Sequence, residues 1–197
     1  MPKVTEEYRA ARRDEIIRAA LAAFRRKGFQ AASMADIIAE SGLSAGAIYG
    51  HFKGKSDIVL EVASRVVGER VGDVRRLSDA DELVPPSALL RVLAEGMRRD
   101  LGDPTIIVQI WGEAITDPQL MALALRTFER LHAAIRGYVG LWHERVHAAS
   151  PEDAAAIADR QVPLFISAVQ GYLLQRAIMP GFDGDAYFDT LDAYLPR

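Results

Sequence analysis

Cysteine is absent from the 197 residues. Disulfides and thiolate metal sites are thereby excluded, and a cytoplasmic home is expected. Aromatic side chains are scarce, while alanine is plentiful, a bias toward helix. No apolar run approaches the ~18 residues a membrane helix requires, so no membrane partner is expected. The opening MPKVTEEYRAARRDE holds no apolar stretch, and no secretory signal is expected from it. Sustained two-residue alternation bounded by hairpin turns is missing, and so are internal repeats and low-complexity tracts. A large positive charge is missing too: the net charge of −3 argues against a wholly basic nucleic-acid binder.

The charge that is present is unevenly placed. Residues 1–60 hold 10 Lys and Arg against 7 Asp and Glu, whereas residues 61–197 hold 14 against 20. All four lysines (Lys3, Lys27, Lys53, Lys55) lie in the first 55 positions. A basic front and an acidic rear suit a molecule that presents one end to a polyanion.

Apolar periodicity predicts an all-α chain of about nine helices. The first spans about Thr5 to Lys27, with Thr5 as its cap and Gly28 in the left-handed position after its end. Ser33 and Asp36 form a capping-box-like opening to a short helix over 33–40. Ser41-Gly42 breaks it, Leu43 anchors the turn, and Ser44 caps a second short helix over about 45–51. Further helices are expected over 56–77, 87–101, 104–116, 118–149, 151–178 and 184–195. Pro163 falls inside the 151–178 segment, where a kink or a late start is expected.

Residues 33–51 therefore read as capped helix, tight glycine turn, capped helix, the helix-turn-helix pattern whose second helix enters a major groove. Ile48 and Phe52 stand four apart and can face inward. Ala45, Ala47, Gly50 and His51 are then left outside. Glycine costs a helix about 1 kcal/mol relative to alanine. Accepting it at Gly46 and Gly50 in one short helix suggests close backbone approach to a partner.

These residues resemble a family. Gly28-Phe29, Ser33, Asp36-Ile37, Gly42-Leu43-Ser44, Gly46, Tyr49, Phe52 and Lys55 are similar to the N-terminal DNA-binding domain of TetR-family transcriptional regulators. VQIWGEAITDPQL (108–120) and ISAVQGYLLQRAI (166–178) resemble segments of that family's regulatory domain more loosely. Ala35 departs from the pattern where some members place a base-contacting Arg.

The resemblance implies a three-helix DNA-binding domain over 1–55 and a regulatory, effector-binding and dimerisation domain over 56–197. It implies a homodimeric repressor on a double-stranded DNA operator, released by a small-molecule effector, with no cofactor and no enzymatic activity. Activation, or regulation without a ligand, stays open on the same fold. Tyr49, His51 and Lys55 would hold phosphates, with Ser33 and Ser44 adding hydroxyl or helix-start contacts. Ala45, Gly46, Ala47 and Gly50 would lie against base edges, offering methyls and backbone only. Arg9, Arg12 and Arg13 would supply arm or backbone contacts. Met97, Gln109, Trp111, Glu113, Phe128, His132, Phe165 and Tyr172 are the candidates for an effector pocket. Gly171, Gln175, Phe188, Leu191, Tyr194 and Leu195 would meet a second copy in a four-helix bundle.

One motif points elsewhere. His143-Glu144-Arg145-Val146-His147 matches the H-E-x-x-H pattern, which on a helix places two His one turn apart with Glu as general base. The extended form needs Gly at 150 and His at 153, where this chain has Ser150 and Asp153, and no Glu follows Glu152. A zinc-dependent all-α hydrolase is the competing reading. Exposed helix histidines are the bland one.

Overall fold

The computed structural model describes residues 6–103 and 105–195. Among them the chain forms nine helices and no strand: α1 (Glu6–Lys27), α2 (Met34–Ser41), α3 (Ala45–Tyr49), α4 (Lys55–Ser78), α5 (Pro86–Leu101), α6 (Thr105–Ala114), α7 (Pro118–His147), α8 (Pro151–Ile178) and α9 (Gly184–Tyr194). The fold class read from periodicity is the one observed. The proposed Thr5 cap lies outside the described residues.

Local chemistry sets the boundaries. Gly28 (φ 79°) and Gly42 (φ 67°) take the left-handed conformation that ends α1 and α2. α5, α7 and α8 each carry proline in the first turn, where its missing N–H costs no helical bond. Asp117 and Ser150 cap α7 and α8 with side-chain oxygens. Pro163 neither delays nor interrupts α8, which runs unbroken from Pro151. Pro163 and Asp159 are both exposed, so the Asp159 carbonyl that loses its partner faces the solvent side, where water can replace it.

Two apolar clusters organise the packing. The first joins the buried face of α1 (Ile16, Ala20, Phe24) to Ile37, Ile48 and Phe52, and continues into Leu101, Ile106, Ala114, Leu120 and Leu123. The second gathers α5, α7, α8 and α9 around Leu89, Leu93, Tyr138, Val162, Phe165 and Phe188. α7 packs on α8, to which a short turn joins it, and on α4, which runs from the front unit into the rear one. The first cluster thus crosses residue 56 and ties the small N-terminal helices to α6 and α7.

Candidate nucleic-acid interface and the cavity behind it

α3 is short and nearly bare. Ser44 Oγ accepts the Ala47 N–H at 3.2 Å and starts it. Ile48 (0% exposed) and Phe52 (2%) fix it on the core under α1. Ala45, Gly46, Tyr49 and Gly50 are exposed, and Ala47 and His51 partly so. A Cβ placed on Gly46 meets nothing within 4 Å, so no neighbour in the chain demands glycine there. On Gly50 it comes 3.3 Å from the Gly46 carbonyl oxygen, a contact tight enough to favour glycine.

The start of α2 carries the full capping box. Ser33 N–H donates to Asp36 Oδ2 at 3.0 Å, and the Asp36 N–H donates to Ser33 Oγ at 3.2 Å. Lys27 Nζ donates to Asp36 Oδ1 at 2.6 Å. The bond from Lys27, followed by those from Ser33, holds the Asp36 carboxyl well below the usual carboxylate range. Ser33 and Ser44 are both exposed at their helix starts.

The cations sort differently from expectation. Lys55 Nζ points into the fold, donating to the carbonyls of Phe29 (2.8 Å), Gln30 (3.1 Å) and Ala32 (3.2 Å) and lying 4.5 Å from the Phe29 ring centre. All three ammonium protons are used, so Lys55 stands away from the phosphate role assigned to it. Lys53, two residues earlier, is exposed. The sequence F-K-G-K (52–55) could not say which lysine turns outward. Arg12 bonds Tyr8 (2.7 Å) and Glu15 (2.6 Å), and Arg13 bonds Glu61 (2.7 Å) while lying over Phe52. Arg9 is exposed.

Behind this unit lies a cavity of about 380 Å³ walled by α1, α4, α5, α6, α7 and α8. Met97, Trp111, Phe128 and His132 are on its wall. Gln109, Glu113, Phe165 and Tyr172 are not. Gln109 reaches the opposite way, its Oε1 accepting the Phe29 N–H at 2.7 Å and so tying α6 to the turn after α1. Glu113 is half-buried near the end of α6, where its carbonyl accepts from Thr116 and Asp117. Phe165 is sealed in the second cluster, and Tyr172 packs 4.8 Å from Phe188. The resemblance offered all eight as pocket candidates but could not say which of them would reach the cavity.

Sequence reasoning missed two features of that wall. Leu21 and Phe24 of α1 line it, so the cavity touches the helix on which the helix-turn-helix packs. Arg70 lines it as well, although only 2% exposed. Its Nε lies 2.8 Å from Asp73 Oδ2 and its Nη1 2.9 Å from Asp100 Oδ2. Gly96 makes room for it: a Cβ there would stand 2.3 Å from Arg70 Nη1. The glycine in α5 was the one available signal.

The rear surface carries exposed apolar side chains: Leu164 (53%), Leu174 (47%) and Ile178 (65%) on α8, with Tyr194 (85%) on α9. Phe188, expected there, is 4% exposed and belongs to the chain's own core, because α9 folds its aromatic side onto Tyr172. Gly171, Gln175, Leu191 and Leu195 are half-buried, and Tyr187 Oη comes within 3.1 Å of where a Gly171 Cβ would be.

The H-E-x-x-H residues end α7. His143 is 6% exposed with Nε2 3.0 Å from Gln161 Oε1, whereas Glu144 and His147 are exposed. The His143 and His147 rings lie 5.2 Å apart. Among the described residues, no group of three His, Cys, Asp or Glu is placed to hold a metal.

The model of the bacterial regulatory proteins of the tetR family matches residues 16–62. The HTH-type regulator YfiR of Bacillus subtilis is 32% identical over 109 residues, covering 55% of this chain and 53% of YfiR. YerO of the same organism matches over 28% of its own length. The HTH-type transcriptional regulator BetI of Yersinia pestis is 30% identical over 138 residues, 68% of each protein. Thus the chain spans about half of YfiR and about two thirds of BetI. Salmonella enterica GusR superposes with a TM-score of 0.71 at 20% identity, covering 98% of both chains. A Saccharomonospora viridis regulator solved with choline gives 0.69 at 21% identity, covering 95% of this chain and all of that one. No helix among the described residues is long and apolar enough to cross a membrane. A capped helix-turn-helix fixed on a long first helix, an all-α body behind it and two-thirds coverage of BetI together place this chain in the TetR family of bacterial transcriptional regulators, which are not enzymes.

Proposed function

We propose that this chain is a homodimeric, cytoplasmic repressor that binds a pseudo-palindromic operator and leaves it when a small effector fills the cavity. The division into a DNA-reading unit over 1–55 and a regulatory unit over 56–197 belongs to this reading. The observation that carries it is the outward surface of α3: backbone and methyl groups at Ala45, Gly46, Ala47 and Gly50, edged by the hydroxyls of Ser44 and Tyr49. Such a surface can enter a groove closely but has no bidentate base donors. Sequence preference then rests on thymine methyls, DNA shape and residues such as Arg9. Tyr49, His51, Ser33 and Ser44 hold phosphates. Lys53 supplies the point charge, while Lys55 braces the turn.

Two copies paired through the exposed apolar side of α8 and α9 would set their α3 helices in successive major grooves, roughly 34–36 Å apart. Effector binding acts by differential affinity for two shapes of the dimer. The cavity is well sited for this, since Leu21 and Phe24 belong to α1 and the Gln109–Phe29 bond links its α6 wall to the same unit.

The test is fluorescence anisotropy with duplex DNA flanking the protein's own coding region, over a salt series. Affinity falling steeply with salt, with a slope of about −0.9 per phosphate neutralised, is the expected result. A folded protein with no salt-sensitive affinity for double-stranded DNA overturns it.

A further inference from the structure

The charges around the cavity bear on what enters it. We propose that the effector is an uncharged, largely apolar molecule with one oxygen-bearing end, and neither a quaternary ammonium nor a fatty acid anion. This rests on the cavity being the effector site.

The cavity wall is made mainly of aliphatic and aromatic side chains, among them Val62, Met97, Ile110, Leu131 and Phe128. At about 380 Å³ it lies within the range of small-ligand sites. No Asp or Glu is among the described residues lining it. A buried cation without a carboxylate would lose its hydration uncompensated. The rings of Phe24, Trp111 and Phe128 do not replace that carboxylate, because cation–π attraction over a single ring is weaker than the desolvation of a buried cation. Phe24 is engaged edge-on by Phe29, with ring centres 5.2 Å apart, and Phe128 is 43% exposed, leaning on His132. The fixed charge on the wall is Arg70, itself a cation.

An anion fares no better, because Arg70 is already matched. Asp73 and Asp100 both stand within ion-pair distance of it, and Asp73 also binds Arg76. A ligand carboxylate would add a third negative charge to this group. His132 is the other titratable residue on the wall. The Asp159 carboxyl, held low chiefly by its bond from Arg136, already stands near that imidazole. What the wall still offers is neutral hydrogen-bonding capacity. Thr127, Gln170 and the Trp111 indole contribute to it. Arg70 Nε and Nη1 are sealed against Asp73 and Asp100 and are closed to a ligand. A hydroxyl or carbonyl oxygen can bond Thr127, Gln170 and the indole without bringing charge.

Three probes of equal chain length isolate the head group: 1-decanol, decanoate and decyltrimethylammonium, each below its aggregation limit, with choline as a fourth. Binding to the full-length protein without DNA is followed by calorimetry and tryptophan fluorescence. We expect saturable binding of decanol at least about tenfold tighter than either charged analogue, and none of choline. Decanoate or decyltrimethylammonium binding as tightly as decanol overturns the proposal, as does choline binding or the absence of saturable decanol binding. Ala124→Phe, which fills the wall from α7, should abolish decanol binding with the helical spectrum intact; Ala63→Leu serves if that variant misfolds. Retained decanol binding in the folded variant places the ligand elsewhere and also overturns it. Anisotropy with operator DNA separates the two readings. Decanol that binds yet leaves the DNA complex unchanged preserves the ligand class and removes effector release. A charged probe that binds best and releases DNA does the reverse.

Discussion

Lys55 and Lys53 differ by two positions and perform separate jobs. Lys55 closes three carbonyls of the turn between α1 and α2, so Lys55→Met leaves those acceptors short of donors. Bonds to a charged group contribute about 1.5–3 kcal/mol each in favourable cases, and a loss of about 2 kcal/mol is expected in urea denaturation. Lys53→Ala should leave the urea midpoint unchanged while reducing the salt slope of DNA binding by about 0.9. A lowered midpoint for Lys53→Ala, or an unchanged one for Lys55→Met, reverses the assignment. Asp36 gives a pH signature. Its folded-state carboxyl ionises below the usual range, so its contribution is full above about pH 4 and declines as pH falls through the unfolded value. The thermal stability gap between wild type and Asp36→Asn should therefore be widest near neutrality and narrow on acidification below about pH 4. A gap that widens in acid rules this out. The capping box was legible in Ser33-x-x-Asp36. The direction of a lysine was not, because chain spacing alone does not place a flexible four-carbon stem.

α3 puts stability and function in opposition. A methyl at Gly46 touches nothing within 4 Å, so Gly46→Ala should raise stability by up to about 1 kcal/mol through helix propensity. The same methyl would stand between backbone and duplex and should weaken DNA binding by about tenfold or more. Calorimetric melting and anisotropy on one sample check both signs. Gains in both would place α3 away from the DNA. The elements themselves were readable: Gly28 and Gly42 end α1 and α2, and Ser33 and Ser44 start α2 and α3, where the sequence placed them, since these boundaries are local backbone chemistry, although α3 stops at Tyr49, short of the expected 51. The late start expected at Pro163 does not occur, because its cost depends on whether the freed carbonyl faces solvent, which follows from packing and not from the residue.

For the whole molecule, the exposed row Leu164, Leu174 and Ile178 with Tyr194 is the feature a single chain leaves unfinished. Leu174→Glu with Ile178→Glu should yield monomers in light scattering, with helical content kept and operator affinity lost. A variant that stays dimeric moves the interface elsewhere. Phe188 and Phe165 show why such surfaces resist reading from sequence. A buried aromatic and an interface aromatic have the same spacing, and only the docking of α9 on α8 decided that Phe188 serves its own core. The cavity obeys the same logic: Met97, Trp111, Phe128 and His132 reach it, and Gln109 turns away to Phe29. By itself, the amino-acid order determined the helices, their caps and the bare surface of α3, because these depend on neighbours within a few residues. The tertiary structure alone decided that Arg70 is buried between two carboxylates, which lysine is spent on the turn, and that α1 walls the cavity. Each of those brings together side chains far apart in the chain, whose burial and charge are set by what packs over them.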